Sequence, residues 1–353
     1  MQGSPNKRRN IGMLTGACLA GGFAASFPLA LQGSILTNVV FSDTFGSSTL
    51  NNNSTPITST STNYDIASAK AAGSTMSSGD LQMTMPSTTS GGTEAQALFT
   101  TKPVTLSNVG SDEIELTVTF TATTNIINSA NVSTGSFDMG LYNSGSPQSD
   151  PYAGSLETSG LTTGSGTYAT GGVQDWVGYV GSVFESASPK TYTRPSESGG
   201  TKNPDQDLVL EGQSYGYGAG TGATAGVSLT GTGSSALASP LTNGSVYTED
   251  FLISLSAANT YSVSEDLYSG SSDTGTPISN FNAGSASGAN FLTTSFDSFA
   301  IGWRFSNSAT AAASQLDINS VTVSTTVAVP EPATLGMVGL AGLGLMHRRR
   351  RKA

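Results

Sequence analysis

The stretch that decides the fold lies at residues 114–120 and reads IELTVTF. Its apolar side chains recur at every second position, which places them on one face of an extended chain. Thr, Val, Ile and Phe also supply the β-branched and aromatic content that strands favour. Further runs of this kind are 251–256 (FLISLS), 261–263 (YSV), 299–305 (FAIGWRF) and 316–323 (LDINSVTV). The sequence therefore predicts several half-buried β-strands, with Trp303 in the core.

The segments between these runs are rich in Gly, Asn, Ser and Pro, and no alternation of strands with helical patterns is found along the chain. Strands separated by turn residues favour an antiparallel arrangement in two packed layers. We therefore predict an all-β fold, an antiparallel β-sandwich, over residues 31–328. Two stretches with few large apolar groups, 46–63 and 216–236, are predicted to be long loops or flexible inserts.

The body of the chain is strongly acidic. Residues 31–329 carry six basic side chains against 23 acidic ones, which gives a formal net charge of −17. Because clustered Lys and Arg supply the affinity for phosphate backbones, nucleic acid is excluded as a partner. The single Cys, Cys18, and the single His, His347, both lie outside the body. A Ser-His-Asp triad, a Cys-His pair and a zinc site of nitrogen and sulfur ligands are therefore excluded there.

Residues 1–30 have the order of a secretory signal peptide. Three basic residues at positions 7–9 precede an apolar stretch, 11–31, which contains small side chains towards its end. Cleavage after Ser26 or after Ala30 would leave a small residue at the junction, and the sequence leaves both open. An uncleaved membrane anchor is the competing interpretation, because about 20 apolar residues are long enough to span a bilayer.

The end of the chain, residues 329–353, has three parts. In order they are the tripeptide Pro330, Glu331, Pro332, the apolar segment 333–346, and the basic cluster Arg348, Arg349, Arg350, Arg351. An apolar helix followed by cytoplasmic basic residues predicts a single membrane-spanning helix. Its 14 residues at ~1.5 Å each reach only ~21 Å, which is shorter than a ~30 Å hydrocarbon core. The segment therefore suits a temporary stop in the membrane.

This three-part end resembles the PEP-CTERM protein-sorting signal of Gram-negative, exopolysaccharide-producing bacteria. The resemblance implies that an exosortase, an integral-membrane cysteine protease, recognises Pro330, Glu331 and Pro332. It also implies that the apolar segment and the arginines form the membrane stop. An ordinary tail anchor behind a proline-rich linker is the alternative interpretation.

Short phrases in the body resemble the strands of concanavalin A-like jelly-roll domains found ahead of this sorting signal. They are VFSDTF at 40–45, FDMGLYN at 137–143, FDSFAIG at 296–302 and the run at 316–323. The resemblance implies a jelly-roll sandwich in which the first and the last strand pair beside each other. It implies no catalytic residue.

We expect no enzymatic activity and no cofactor. The carboxylate pair that a glycosidase needs would best be supplied by Glu113 and Glu115, two residues apart on one strand face. Laminarinase-type glucanases on this fold carry a Glu-x-Asp-x-x-Glu pattern, and residues 113–118 lack its Asp and its final Glu. A solvated strand face is therefore the preferred interpretation of this pair.

Two further acidic pairs, Glu249 with Asp250 and Glu265 with Asp266, are predicted to lie in polar turns beside strands. Adjacent side chains of an extended chain point to opposite faces. Neither pair alone therefore suits a site that needs two carboxylates side by side.

Two groups of side chains are candidate binding sites by residue type alone. Asp205, Asp207 and Glu211 form an oxygen-rich loop of the kind that can hold Ca²⁺. The loop lacks the turn Gly of an EF-hand, so a solvent-facing acidic loop is the preferred interpretation and no metal site is assigned. Trp176 and Tyr179 lie in a Gly-rich stretch where exposure is expected, and their flat rings are candidates for stacking on sugars.

Together these features predict an exported protein of the cell envelope or extracellular matrix of a Gram-negative bacterium. Its C-terminal segment would anchor it transiently in the inner membrane, where an exosortase would process it. A structural or adhesive role with exopolysaccharide is the leading hypothesis. The predicted partners are the exosortase, the membrane, and exopolysaccharide or other glycans. A lectin-like carbohydrate-binding module is the alternative, and a divergent glycoside hydrolase ranks third.

Overall fold

The computed structural model describes residues 34–46, 49–51, 63–69, 72–85, 91–124, 136–145, 154–155, 176–184, 189–196, 208–209, 226–239, 241–305 and 314–329. They belong to one compact unit, Ser34–Pro330. The predicted signal peptide, the tripeptide and the segments after it lie outside the described residues. The predicted domain limits, 31 and 328, stay a prediction.

The described residues form nineteen strands and one short 3-10 helix, Gly288–Asn290. The strands are β1 (Ser34–Asp43), β2 (Thr49–Asn51), β3 (Asn63–Ala69), β4 (Gly73–Ser77), β5 (Asp80–Met85), β6 (Gly91–Leu98), β7 (Val104–Thr105), β8 (Glu113–Thr124), β9 (Ser136–Asn143), β10 (Gly154–Ser155), β11 (Val177–Phe184), β12 (Lys190–Arg194), β13 (Gly233–Ser235), β14 (Ser245–Ala257), β15 (Thr260–Ser269), β16 (Ser279–Ser287), β17 (Ser295–Phe296), β18 (Ser298–Phe305) and β19 (Ser314–Val329).

These strands build two large sheets. A nine-stranded sheet has the order β13-β16-β15-β14-β8-β19-β5-β4, with β1 beside β19. An eight-stranded sheet has the order β10-β3-β6-β18-β9-β11-β12, with β2 beside β3, and β7 pairs with β17 separately. Among the described strands, only β2 and β10 pair in parallel, both with β3. The predicted antiparallel all-β class is confirmed.

Aromatic side chains join the two sheets face to face. Phe120 on β8 meets Phe137 on β9 with ring centroids 4.8 Å apart. Tyr179 on β11 meets Tyr261 on β15 at 5.7 Å. Trp303 on β18 is 1% exposed, which confirms its predicted place in the core. The fold is therefore a sandwich whose apolar layer lies between the sheets.

The stretch 114–120 forms the centre of β8, between β14 and β19 in the nine-stranded sheet. Its apolar residues are at most 1% exposed, whereas the polar residues between them are half-buried on the outward face. Burying a side chain of this size away from water contributes ~1.5–3 kcal/mol to the stability of the fold. The alternation in the sequence is therefore the alternation between core and outward face.

The first and the last described strand lie side by side. β1 pairs antiparallel with β19, from Ser34 opposite Val329 to Asp43 opposite Val321, with one irregularity near Val39. This pairing is the one that the jelly-roll resemblance implies. It brings the two ends of the folded unit to the same strand pair.

The two predicted loop regions are only partly described. Within 46–63 the structure has the short strand β2, and within 216–236 it has β13. Each is three residues long and lies at the margin of its sheet. The other predicted loop residues lie mostly outside the described ranges.

The two acidic pairs that were predicted to lie in turns are found inside strands, so that prediction is wrong. Glu249 and Asp250 lie on β14, and Glu265 and Asp266 lie on β15. Glu249 and Glu265 occupy inward positions and are at most 1% exposed. A carboxylate at an inward position interrupts the apolar alternation, so the sequence there resembles a turn.

In the described part of the chain, no helix has the length and apolar character that crossing a membrane requires. The predicted membrane segment, 333–346, lies outside that part.

Candidate functional site

Trp176 and Tyr179, the rings that were predicted to stack on sugars, are completely buried. Tyr179 packs edge-on against Tyr261 of the opposite sheet. Its hydroxyl donates to the carbonyl of Asn290 at 3.0 Å and accepts the N–H of Leu292 at 2.9 Å. The predicted exposure of the two rings is therefore wrong, and neither presents a face to a ligand.

The glycines around these rings explain the error. Gly178 and Gly181 lie inside β11, where each one allows another residue to approach the strand closely. A Cβ atom on Gly181 would lie 2.6 Å from Oε1 of Glu265, and one on Gly178 would lie 2.8 Å from Cα of Tyr142. The glycines therefore mark close packing in a buried strand rather than an exposed loop.

A row of polar side chains, here called the polar floor, lies on the face of the eight-stranded sheet that points away from the core. Its members are completely buried and alternate with core residues along β6 and β9: Glu94, Gln96, Ser136 and Asp138. Asp138 accepts hydrogen bonds from the hydroxyl of Ser136, at 2.7 Å, and from that of Ser182. Gln96 donates through Nε2 to Glu94.

The polar floor holds residues 208–209 against the sheet. Glu94 accepts the backbone N–H of Leu208 at 2.9 Å and that of Val209 at 3.0 Å. The hydroxyl of Tyr142 donates to the carbonyl of Leu208 at 3.3 Å. Each such hydrogen bond contributes ~1 kcal/mol. Glu94 therefore acts as an acceptor that fastens a covering segment, whereas Asp138 accepts from side chains of its own sheet, and both tasks are structural.

Glu113 and Glu115 lie on the outward face of β8, as predicted, and both are half-buried. Glu113 accepts a hydrogen bond from the hydroxyl of Ser254 at 3.0 Å, and Glu115 accepts one from Ser324 at 3.3 Å. Two carboxylates from elsewhere in the chain, those of Asp250 and Asp273, lie within 4.8 Å of that of Glu115.

The sequence alone does not show that these carboxylates approach Glu115. Asp250 belongs to a strand that was predicted to be a turn at that point, and Asp273 lies in a connecting loop. The alternation along a single strand does not show which residues of another strand lie opposite it. Only the pairing register brings these carboxylates together.

The remaining predicted site residues lie outside the described residues. They are the calcium candidates Asp205, Asp207, Glu211, the sorting residues Pro330, Glu331, Pro332, and the basic residues Arg348, Arg349, Arg350, Arg351.

Comparison with protein families bears on the end of the chain. The family model of the PEP-CTERM protein-sorting motif matches residues 328–352, which begin where β19 ends at Val329. The chain carries a PEP-CTERM protein-sorting motif. This match confirms the resemblance seen in residues 329–353, and a motif of this kind indicates an exported protein that is processed at the membrane.

No curated protein matches the chain by sequence. Among solved structures, peanut lectin with a nine-residue peptide is similar at 12% identity and a TM-score of 0.37, over 84% of this chain and all of that one. Lectin II from Ulex europaeus is similar at 16% identity and a TM-score of 0.31, over 74% of this chain and 93% of that one. The alginate lyase Aly36B is similar at 12% identity and a TM-score of 0.30, over 71% of this chain and 85% of that one. Similarities of this size carry no argument about ligand or activity.

Proposed function

We propose that this is a non-catalytic, structural or adhesive protein of the cell envelope or extracellular matrix of a Gram-negative bacterium. The sorting motif at 328–352 carries the proposal, because it supports export and processing by an exosortase. The β-sandwich in front of it would be the part delivered to the surface, where it would contact exopolysaccharide.

The charge and the outward face of the nine-stranded sheet support this role. The body has only six basic side chains, so it is poorly suited to binding anionic partners by direct ion pairing. The outward face of the nine-stranded sheet carries many hydroxyl groups, and some pair across strands, as Thr37 does with Thr326 at 3.3 Å and Ser42 with Thr322 at 3.4 Å. Hydroxyl groups both donate and accept hydrogen bonds, as sugar hydroxyls do.

The same hydroxyl-rich face favours a lectin-like role as the second candidate. Among the side chains that the structure describes, the exposed large apolar ones are Leu36, Val39, Val109 and Val227, and none is aromatic. A lectin-like site on this part of the chain would therefore bind mainly through hydrogen bonds.

A glycan array distinguishes the two candidates. We expect the secreted protein to be retained by the native matrix without saturable preference for one defined glycan. Saturable binding to a single glycan class would replace the structural role with the lectin-like one. Trp176→Ala is unsuitable as a test variant, because it would remove a completely buried ring.

Deletion of residues 330–353 tests the sorting part of the proposal. We expect the shortened chain to lose its processing step and to change its distribution among membrane, periplasm and medium. Cell fractionation and the mass of the protein isolated from native cells would measure both effects.

Two point variants sharpen the deletion experiment. Glu331→Gln alters the tripeptide alone and should impair processing in the same direction. Asp317→Asn, on β19 just ahead of the motif, is the control and should leave processing unchanged. An unaltered location and mass after the deletion would refute exosortase-dependent sorting.

A further inference from the structure

Three carboxylates from separate parts of the chain meet on the outward face of the nine-stranded sheet. Glu115 lies on β8, Asp250 on the neighbouring β14, and Asp273 in the loop between β15 and β16. One carboxylate oxygen of each lies within 4.8 Å of the corresponding oxygens of the other two. We call these three residues the acidic cluster.

The register of the sheet fixes two of the three positions. Asp250 lies opposite Thr117 of β8, and Glu115 lies opposite Leu252 of β14, so the two carboxylates are diagonal neighbours on one face. Diagonal neighbours in a sheet are within reach of long side chains. Two paired strands therefore hold two of the three carboxylates in place, and the loop adds Asp273.

Burial distinguishes Asp250 from an ordinary surface acid. Its side chain is only 7% exposed, and its Oδ1 has no hydrogen-bond partner. Burying a carboxylate oxygen without a partner is costly. The neighbouring Asp266, directly opposite on β15, also has an Oδ1 without a hydrogen-bond partner. The buried member of the cluster, Asp250, thus offers an acceptor oxygen that the described protein groups leave unused.

The charged groups that act on the cluster within the described residues are acidic. Burial raises the pKa of Asp250 to about 7, and Glu115, Asp273 and Asp266 add to that rise. Burial also raises the pKa of Glu115, and the charges of Asp273 and Glu113 add to this rise. A bound cation would reverse the sign of this interaction, and attraction between opposite charges is stronger at a partly buried site than in bulk water.

We propose that Glu115, Asp250 and Asp273 form a Ca²⁺ site. Oxygen is the only ligand type offered, and Ca²⁺ accepts 6–8 oxygen ligands in adaptable geometry. Water and backbone carbonyls of the loop would complete its coordination. Because Asp273 is exposed, the site is open on one side, which suits the ~10⁻⁴–10⁻³ M dissociation constants of extracellular calcium modules. The ion would fasten the loop after β15 to β8 and β14.

Calcium titration of the protein purified from native cells and freed of metal by a chelator tests the site. Calorimetry should give saturable binding at submillimolar to millimolar Ca²⁺, and Tm should rise with Ca²⁺ concentration. Asp250→Asn should raise the dissociation constant for Ca²⁺ at least about tenfold, because affinity depends on the number of charged ligands. Asp273→Asn should also raise the dissociation constant. Because Asp273 lies in an exposed loop, the sheet of this variant should still fold.

Asp80→Asn is the matched control. Asp80 begins β5 in the same sheet, outside the acidic cluster, and accepts a hydrogen bond from Asn319 at 3.0 Å. The Asp80→Asn variant should bind Ca²⁺ with the same dissociation constant as the unaltered protein. Unchanged affinity in both cluster variants would overturn the proposal and direct attention to the 205–211 loop. The absence of saturable binding up to a few millimolar Ca²⁺ would overturn it too, as would an equal rise in Tm with NaCl of the same ionic strength.

Discussion

Replacing Glu265 with Gln will raise the free energy of unfolding at pH 8 far more than at pH 5. Glu265 on β15 and Glu249 on β14 are diagonal neighbours that point between the two sheets. Burial raises the pKa of Glu265 to about 8, and the nearby carboxylates of Asp138 and Asp266 add to this rise. Burial also raises the pKa of Glu249 well above its ordinary value, and the charge of Glu265 is the next largest cause.

The sign of the effect follows from proton binding. Between the ordinary value of 4.5 and the raised value of about 8, the folded chain binds more protons at Glu265 than the unfolded chain does. The free energy of unfolding therefore falls as the pH rises through this window and levels off above it. One pKa unit corresponds to about 1.4 kcal/mol, so the loss attributable to this carboxyl is roughly 3 to 5 kcal/mol. Gln has nearly the same size and does not ionise, so it removes this part of the pH dependence.

Urea denaturation at pH 5 and at pH 8 in calcium-free buffer measures the effect. The quantity to compare between the variant and the unaltered protein is the difference in the free energy of unfolding between the two pH values. Any cost of burying the amide of the new Gln is the same at both pH values and therefore cancels. Glu113→Gln is the control, since Glu113 lies half-buried on the outward face of β8. A pH difference that is as large in Glu265→Gln as in the unaltered protein would show that this carboxyl ionises as readily in the folded core as in the unfolded chain. Glu249 and Asp250, whose pKa values are also raised, mainly by burial, will leave a residual slope.

The course of β8 could be predicted because every inward position of 114–120 is apolar. The same rule fails on β14 and β15, where inward Glu249 and Glu265 look like polar breaks. A carboxyl group can occupy such a position when burial keeps it protonated. Nothing in a single strand shows this, because the second carboxyl and the enclosing sheet come from other parts of the chain.

Glycine was misleading for a related reason. The Gly-rich stretch around Trp176 and Tyr179 was expected to be exposed, yet both rings are completely buried. Glycine is common in loops, but it also occurs where a ring or a backbone must approach a strand closely. The sequence shows that glycine is present at these positions, and only the packing of neighbouring strands shows which of the two reasons applies. The acidic cluster escaped prediction similarly, because it depends on the register between β8 and β14.

Gly178→Ala will destabilise the fold by about 3 kcal/mol, the upper end of what overpacking a core usually costs. Gly178 lies on β11, directly opposite Tyr142 of β9. A Cβ atom there would collide with the carbonyl oxygen of Leu141 and lie 2.8 Å from both Cα and Cδ1 of Tyr142. Two of these three atoms belong to the backbone, which cannot rotate away as a side chain can. The strands would have to separate, or the Tyr142 ring would have to leave its place beside Trp176, 6.0 Å away between centroids.

Gly73→Ala is the matched control, because Gly73 also lies in a strand, β4, and a Cβ atom there would meet nothing within 4 Å. It should leave the free energy of unfolding unchanged or raise it slightly, since Ala restricts the unfolded chain more than Gly does. Urea denaturation compares the two variants, and near-ultraviolet circular dichroism reports whether the packing of Tyr142 with Trp176 is lost. Equal stability of the two variants would mean that β9 and β11 can move apart at no cost. The close approach at Gly178 would then not be what holds Tyr142 over residues 208–209.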